Sequence, residues 1–112
     1  MKHFKDTEFK MGDLIVFDKM DKSFLTQLDS LRELCGFPLK INSSYRSPEY
    51  NKKIGGATHS QHLLGKAVDL HCNNSVDRSV IVKHALSLGL TCGVAKTFVH
   101  VDNRENQILF TY

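Results

Sequence analysis

The chain has 112 residues, of which 41% are apolar and 24% are charged, and its formal net charge is +3. Such values are ordinary for one globular domain, and no segment is long and apolar enough to cross a membrane. The basic residues form no dense stripe of the kind that binds nucleic acid. We therefore expect a single domain over residues 1–112, a monomer with no nucleic-acid or membrane partner.

Three cysteines are present, and none belongs to a Cys-x-x-Cys pair. An odd number without paired spacing argues against a disulfide framework and against a cysteine zinc site. We expect Cys35, Cys72 and Cys92 to be buried free thiols.

The first third of the chain predicts an arm followed by a helix. Residues 1–20 are mixed in character and are expected to form an N-terminal arm that packs on the core through its phenylalanines. From Asp21 onward the apolar residues recur at helical spacing, which predicts a helix over residues 22–35. Asp21 is a suitable N-cap, and Gly36 suits the left-handed residue after the last turn. The predicted buried face consists of Phe24, Leu25, Leu28, Leu31, Leu34 and Cys35.

The middle of the chain predicts a strand, a short helix and a polar loop. Residues 39–42 alternate in polarity as a strand does. Pro48 suits the first turn of a short helix that continues to about Ile54, with Ser47 as its N-cap. Residues 55–66 are rich in Gly, Ser, Thr and His, and they predict a loop of the kind that often carries binding groups.

A second main helix is predicted over residues 76–88. Ser75 is the expected N-cap, and Gly89 ends the helix. Its predicted apolar face includes Val76, Val80, Ala85 and Leu88.

Four strands are predicted in the second half of the chain, over residues 66–72, 90–95, 97–102 and 107–112. They are joined by turns, which favours hairpin-like connections. The sequence therefore predicts an α+β fold in which two main helices pack on an antiparallel sheet.

Two of these strands each place a metal-binding side chain on the face opposite their apolar residues. In residues 66–72 the odd positions, including Asp69, point away from the core, and in residues 97–102 the even positions, including His100, do so. A charge in such apolar surroundings is costly unless it is paired or bound to a metal. His62, in the preceding loop, can reach the same ion. Spacing alone would also fit buried polar residues, but this combination favours a zinc site with one open position.

At these residues the sequence resembles a known family. Ser60-x-His62-x-x-Gly65-x-Ala67-x-Asp69, followed by Phe98-Val99-His100-Val101-Asp102, resembles the zinc peptidases of bacterial cell walls. These are the D-alanyl-D-alanine carboxypeptidases and related murein endopeptidases, whose fold the hedgehog signalling domains share. The segment from Ser44 to Asn51 is similar to the arginine-bearing segment of that family. The likeness runs over most of the chain and is closest to the compact phage members.

The resemblance implies a set of site residues. His62, Asp69 and His100 would be the zinc ligands, and Arg46 would bind a carbonyl or carboxylate of the peptide. Ser60, at the start of the first motif, is expected to contact substrate as well. A guanidinium suits either role because its planar set of donors matches a carboxylate or a developing oxyanion.

One position departs from the family pattern. Many members carry an acidic residue three positions before the last histidine, or a histidine two before it, as the general base. Here Thr97 and Phe98 occupy those places. Asp102 and His71 are candidates for the base, although Asp102 would also suit support of a ligand histidine.

The resemblance therefore implies a zinc metallopeptidase that hydrolyses peptide bonds of peptidoglycan, with the stem peptides as its partners. The alternative is a zinc-containing module of the same fold that binds cell wall or protein without cutting. The first residues lack the apolar run of a signal peptide. We expect synthesis in the cytoplasm and action at the bacterial cell wall after release, as a phage lysin or a virion-associated enzyme.

Overall fold

The computed structural model describes residues 1–112, which form three α-helices and seven strands. The helices are α1 (Lys22–Cys35), α2 (Pro48–Lys53) and α3 (Ser75–Ser87). The strands are β1 (Lys10–Met11), β2 (Leu14–Ile15), β3 (Ile41–Ser43), β4 (Ala67–His71), β5 (Thr91–Val94), β6 (Phe98–Asp102) and β7 (Leu109–Thr111). Short 3-10 helices lie at Asp6–Glu8, Phe17–Lys19 and Gln61–Leu64. No helix has the length and apolar character needed to span a membrane.

The main sheet has five strands in the order β3-β4-β6-β5-β7. The predicted α+β class is confirmed, but the sheet is not wholly antiparallel, because β7 pairs parallel to β5. The reason is that both edges of β6 are already paired, with β4 on one side and β5 on the other. After β6 the reversed chain therefore pairs with the free edge of β5, and its direction there is the same as that of β5.

The core lies between one face of this sheet and the helices α1 and α3. The predicted inward residues of β4 and β6 belong to this core, as do most of the predicted residues of α1. The predictions for Leu34 and Val76 were wrong, since they are 47% and 73% exposed. Val76 lies in the first turn of α3, and Ile81 is the residue of α3 that is buried in the core instead. The capping prediction for α3 was wrong by one residue, because the side chain of Asn74 accepts the N-cap hydrogen bond.

The three cysteines are free and buried, as predicted. Burial raises the pKa of the Cys35 thiol to about 11 and that of Cys92 to about 12. Such thiols stay protonated at neutral pH and are poor nucleophiles or metal ligands.

The N-terminal segment packs against the core, as expected for the arm. Phe4, Phe9 and Met20 are members of the same buried cluster as the sheet and helix residues. The carboxylate of Asp29 on α1 accepts hydrogen bonds from the backbone N–H groups of Lys2 and His3. The segment between these anchors forms the β1–β2 hairpin, which lies apart from the main sheet.

Gly65 connects this segment to the loop that precedes β4. Its backbone is left-handed (φ +69°), and a Cβ atom there would lie 2.2 Å from the carbonyl oxygen of Lys19. The carbonyl of Gly65 also accepts a hydrogen bond from the N–H of Asp21, at 2.9 Å. Both the backbone angle and the close approach therefore require glycine.

We predict that Gly65→Ala lowers the free energy of unfolding by more than about 3 kcal/mol, because left-handed strain and a backbone clash add together. Gly36→Ala is the matched control, since Gly36 is also left-handed (φ +74°) but has open space around its Cβ position. It should cost about 1 kcal/mol. Urea unfolding measures both values. Equal losses would show that the contact with residues 19–21 is not restrictive.

Candidate metal centre

Three side chains meet on the face of the sheet that the helices α1 and α3 do not cover. Asp69 on β4 lies directly opposite His100 on β6 in the antiparallel register. His62 belongs to the 3-10 helix just before β4. One nitrogen of each imidazole and one carboxylate oxygen lie within 4.8 Å of one another, and all three residues are buried.

The ring of His62 is oriented by the backbone. Its Nδ1 lies 2.7 Å from the carbonyl oxygen of Ser44. A carbonyl can only accept, so Nδ1 carries the proton and donates it. The other nitrogen, Nε2, faces Oδ1 of Asp69 at 3.3 Å.

The ring of His100 lies between two carboxylates. Its Nε2 is 2.7 Å from Oδ2 of Asp102, and its Nδ1 is 3.0 Å from Oδ1 of Asp69. Burial alone would lower the pKa of His100, but the hydrogen bonds to Asp102 and Asp69 outweigh it and raise that pKa. A carboxylate behind a ligand histidine fixes which nitrogen faces the metal.

Asp102 is fully buried and is held from its far side by Arg104. Nε and Nη2 of Arg104 donate to this carboxylate over 2.6–3.2 Å, and the backbone N–H of Arg104 donates to it at 3.0 Å. Burial alone would raise the pKa of Asp102, but the hydrogen bonds with His100 and Arg104 outweigh it and lower the pKa to about 2. Asp102 therefore stays ionised at neutral pH and supports the His100 ring.

Asp69 is charged in spite of its burial. Burial alone would raise its pKa, but hydrogen bonds with His100 and His62 outweigh it and hold the pKa well below its usual range. Its second oxygen, Oδ2, accepts a hydrogen bond from Nη2 of Arg46 at 3.2 Å. One oxygen thus faces the imidazoles and the other faces the guanidinium.

The arrangement fits a zinc ion. Because Nδ1 of His62 already donates to the Ser44 carbonyl, Nε2 can hydrogen-bond to Asp69 only while it also carries a proton; when that proton leaves, a lone pair and a carboxylate oxygen converge on the place of a cation. Zinc bonds of about 2.0–2.1 Å in a tetrahedron imply ligand separations of roughly 3.3 Å, and the observed separations to Asp69 are 3.3 and 3.0 Å. Two imidazoles and one carboxylate leave a fourth position for water or substrate.

Arg46 is held in place by more than Asp69. Its Nε donates to Ser43 Oγ at 3.1 Å and its Nη1 to Asn51 Oδ1 at 3.3 Å. Asn51 is buried and also donates to the carbonyl of Ala57 at 2.9 Å. A Cβ atom at Gly56 would lie 1.9 Å from Asn51 Oδ1, so glycine is needed there. Asn51 was not predicted to be a site residue, although the Gly-Gly pair after α2 is a signal of close packing there.

A cleft of about 440 Å³ opens onto the cluster. One side is an aromatic wall made of Phe98, Phe110 and Tyr112, whose rings contact one another. The Phe110 ring also lies 5.6 Å from the His100 ring. Gly93 makes room for this wall, because a Cβ there would lie 2.4 Å from the Phe110 ring. The cleft is also lined by Arg46, Arg104 and residues 54–57 and 59–61.

Of the other predicted site residues, Ser60 lines the cleft, whereas Asp102 and His71 do not. The Oγ of Ser60 accepts a hydrogen bond from the backbone N–H of His62 at 3.2 Å. His59, in the same loop, also lines the cleft. Asp102 lies behind His100 and has no exposed side-chain surface. His71 is exposed and is not brought into the cleft.

The family model described as peptidase M15 matches residues 2–102. The chain belongs to the peptidase M15 family. The predicted membership of the zinc D-alanyl-D-alanine carboxypeptidase-like group is thereby confirmed. The match includes the three clustered residues and Arg46 and ends at Asp102. Arg104, Phe110 and Tyr112 lie beyond it. No curated protein matches the chain.

We predict that Asp102→Asn weakens zinc binding by about 10- to 100-fold, because the ring of His100 loses the anion that orients it. Competition with a chromophoric chelator measures the affinity. The exposed Asp18 supplies the control Asp18→Asn, which should bind zinc as the wild type does. Thermal unfolding of the zinc-free proteins separates a loss of fold from a loss of affinity. Wild-type zinc affinity in a folded Asp102→Asn variant would contradict the assigned support.

Proposed function

We propose that this protein is a zinc-dependent peptidase that hydrolyses peptide bonds of bacterial peptidoglycan, as a D-alanyl-D-alanine carboxypeptidase or a murein endopeptidase. One observation carries the proposal. A buried cluster of two histidines and one aspartate, with its donor atoms converging, lines an open cleft in a peptidase M15 chain. A buried cluster without access to solvent would suit a structural metal instead.

Each residue of the cluster has a defined part in this proposal. His62, Asp69 and His100 would hold the zinc ion, which when bound supplies Lewis-acid chemistry that polarises a carbonyl and acidifies water. Ser44 and Asp102 orient the two rings. Because both rings are fixed before metal or substrate arrives, little reorganisation is needed during the reaction.

Arg46 orients the carboxylate of Asp69 and lines the cleft. It makes three hydrogen bonds inside the protein, to Ser43, Asn51 and Asp69. A guanidinium has five N–H donors, so two remain for a substrate carbonyl. Ser60 keeps its hydroxyl proton for a substrate acceptor, because its Oγ is an acceptor within the protein.

A binding module of the same fold is the second candidate function. It is favoured by the absence of a carboxylate other than Asp69 among the residues that line the cleft. Thr97 is exposed and Phe98 forms part of the aromatic wall, so neither supplies a base. Burial, with Asp69 nearby, raises the pKa of Tyr112 to about 12. Its phenol therefore keeps its proton at neutral pH and cannot accept another. An active enzyme would therefore have His59 as its candidate base.

The site of action follows from the substrate and is part of the same proposal. Peptidoglycan lies outside the bacterial cytoplasm, so the protein would act at the cell wall after release, as a phage lysin or a virion-associated enzyme.

Digestion of purified peptidoglycan tests the proposal. We expect the zinc-loaded protein to release peptides or D-alanine that mass spectrometry identifies, a chelator to abolish release, and added zinc to restore it. Asp69→Asn should abolish both release and zinc binding, because it removes the anionic ligand. Lys83→Gln, on the exposed side of α3, is the control and should keep full activity. No release by protein with stoichiometric zinc would instead support the binding module.

We predict that His59→Ala lowers kcat by about 10²- to 10⁴-fold if cleavage occurs, as loss of a general base does. Zinc content should not change, because His59 is outside the cluster. Ser79→Ala, at an exposed position on α3, is the matched control and should cut at the wild-type rate. A fully active His59→Ala enzyme would show that His59 is not the base.

A further inference from the structure

Two guanidinium groups lie on the same face of the sheet and flank the cluster from its two ends along the strand order. Arg46 contacts Asp69 on β4, whereas Arg104 lies over the ring of Phe110 on β7. In the strand order, β4 and β7 lie on opposite sides of β6, which carries His100. Both arginines line the cleft. A peptide that crosses the cluster would therefore meet one arginine on each side.

The two arginines differ in how much of their hydrogen-bonding capacity remains. All three nitrogens of the Arg46 guanidinium donate within the protein, and its side chain is only 13% exposed. Arg104 uses Nε and Nη2 for Asp102, while its Nη1 makes no hydrogen bond within the chain. The Arg104 side chain is 30% exposed. Arg104 thus has the more available donor pair.

The position of Arg104 is fixed before substrate binds. Asp102 holds one edge of its guanidinium, and its Cζ lies 5.5 Å from the centre of the Phe110 ring. A side chain anchored in this way loses little freedom when it binds a ligand. The free Nη1 is therefore a preorganised donor, not a mobile surface charge.

The charge of the cleft favours an anionic group. Two arginines and one aspartate are the fully charged side chains that line it, and a zinc ion would add positive charge. Arginine binds carboxylates through short, charge-assisted hydrogen bonds. A carboxylate near Arg104 would also be close to the cluster, because Oδ2 of Asp102 lies 2.7 Å from Nε2 of His100 and 2.6 Å from Nη2 of Arg104. Two extended peptide residues span roughly 7 Å.

We propose that Arg104 is a specificity-determining residue whose Nη1 binds a carboxylate of the substrate peptide within two residues of the bond that is cut. The inference rests on the proposed peptidase function and narrows its substrates to peptides with a free carboxylate at that place. The carbon atoms of the residue that bears the carboxylate would pack on the aromatic wall. The second role of Arg104, holding Asp102, links substrate recognition to the ring of His100.

Matched pairs of synthetic stem peptides test this. In each pair one carboxylate at a time is replaced by its carboxamide, beginning with the C-terminal carboxylate of a peptide ending in D-alanyl-D-alanine. For one of these carboxylates, the wild type should cut the acid with a kcat/KM about 10- to 100-fold higher than the amide, the value of one charge-assisted hydrogen bond. In Arg104→Gln the ratio for that pair should fall to near one. Lys83→Gln, which removes a distant positive charge, should keep the wild-type ratio.

The acid-to-amide ratio separates recognition from support of Asp102. A structural loss lowers the rates for both peptides equally and leaves the ratio unchanged, so an unchanged ratio in a folded, zinc-loaded Arg104→Gln protein would overturn the proposal. A wild-type enzyme that cuts acids and amides equally in every pair would also overturn it. If the zinc-loaded wild type cuts no peptide, the proposed function fails separately, and calorimetric titration with the same pairs then decides. The wild type should bind the acid of one pair more tightly than its amide, whereas Arg104→Gln should bind the two with similar affinity. Equal affinity of the wild type for acid and amide in every pair would refute the carboxylate site.

Discussion

The buried negative charge of Asp69 is the constraint on which the polar face of this protein depends. A carboxylate removed from water is costly unless several partners compensate it. Here His62, His100 and Arg46 surround it. Each partner is itself held by another group: His62 by a backbone carbonyl, His100 by Asp102, and Arg46 by Asn51. The charge is thus surrounded by groups that cannot easily turn away, which is the arrangement that a tightly held cation needs.

The position of Asp69 relative to His100 is set by two paired strands. Because Asp69 and His100 are directly opposite on β4 and β6, their separation is set by backbone pairing and not by flexible side chains. The apolar residues of the same strands point into the core and hold the sheet against α1 and α3. The geometry of the site is therefore stabilised by the same burial that stabilises the domain.

Much of this could be predicted from the sequence, since it depends on local patterns. Strand alternation placed Asp69 and His100 on one face, and helical spacing with a capping aspartate located α1. The parts that could not be predicted depend on contacts between distant segments. Nothing local to Asn51 indicates that it meets both Arg46 and Ala57, and nothing local to β7 indicates that its only free partner is β5. The Asp102–Arg104 ion pair is close in sequence, but a charged pair after a strand is usually a solvated surface feature.

The parallel edge strand β7 has a consequence for how this protein can change. Phe110 forms part of the cleft wall from a strand that pairs with β5 alone, whereas the candidate metal ligands lie on the interior strands β4 and β6 and on the 3-10 helix before β4. Edge strands contribute fewer interstrand contacts and tolerate substitution better than central ones. The part of the wall that Phe110 forms is therefore structurally separable from the clustered side chains, whereas Phe98 shares strand β6 with His100. Substitutions at Phe110 could reshape the cleft while leaving the cluster of His62, Asp69 and His100 intact, within a chain of 112 residues.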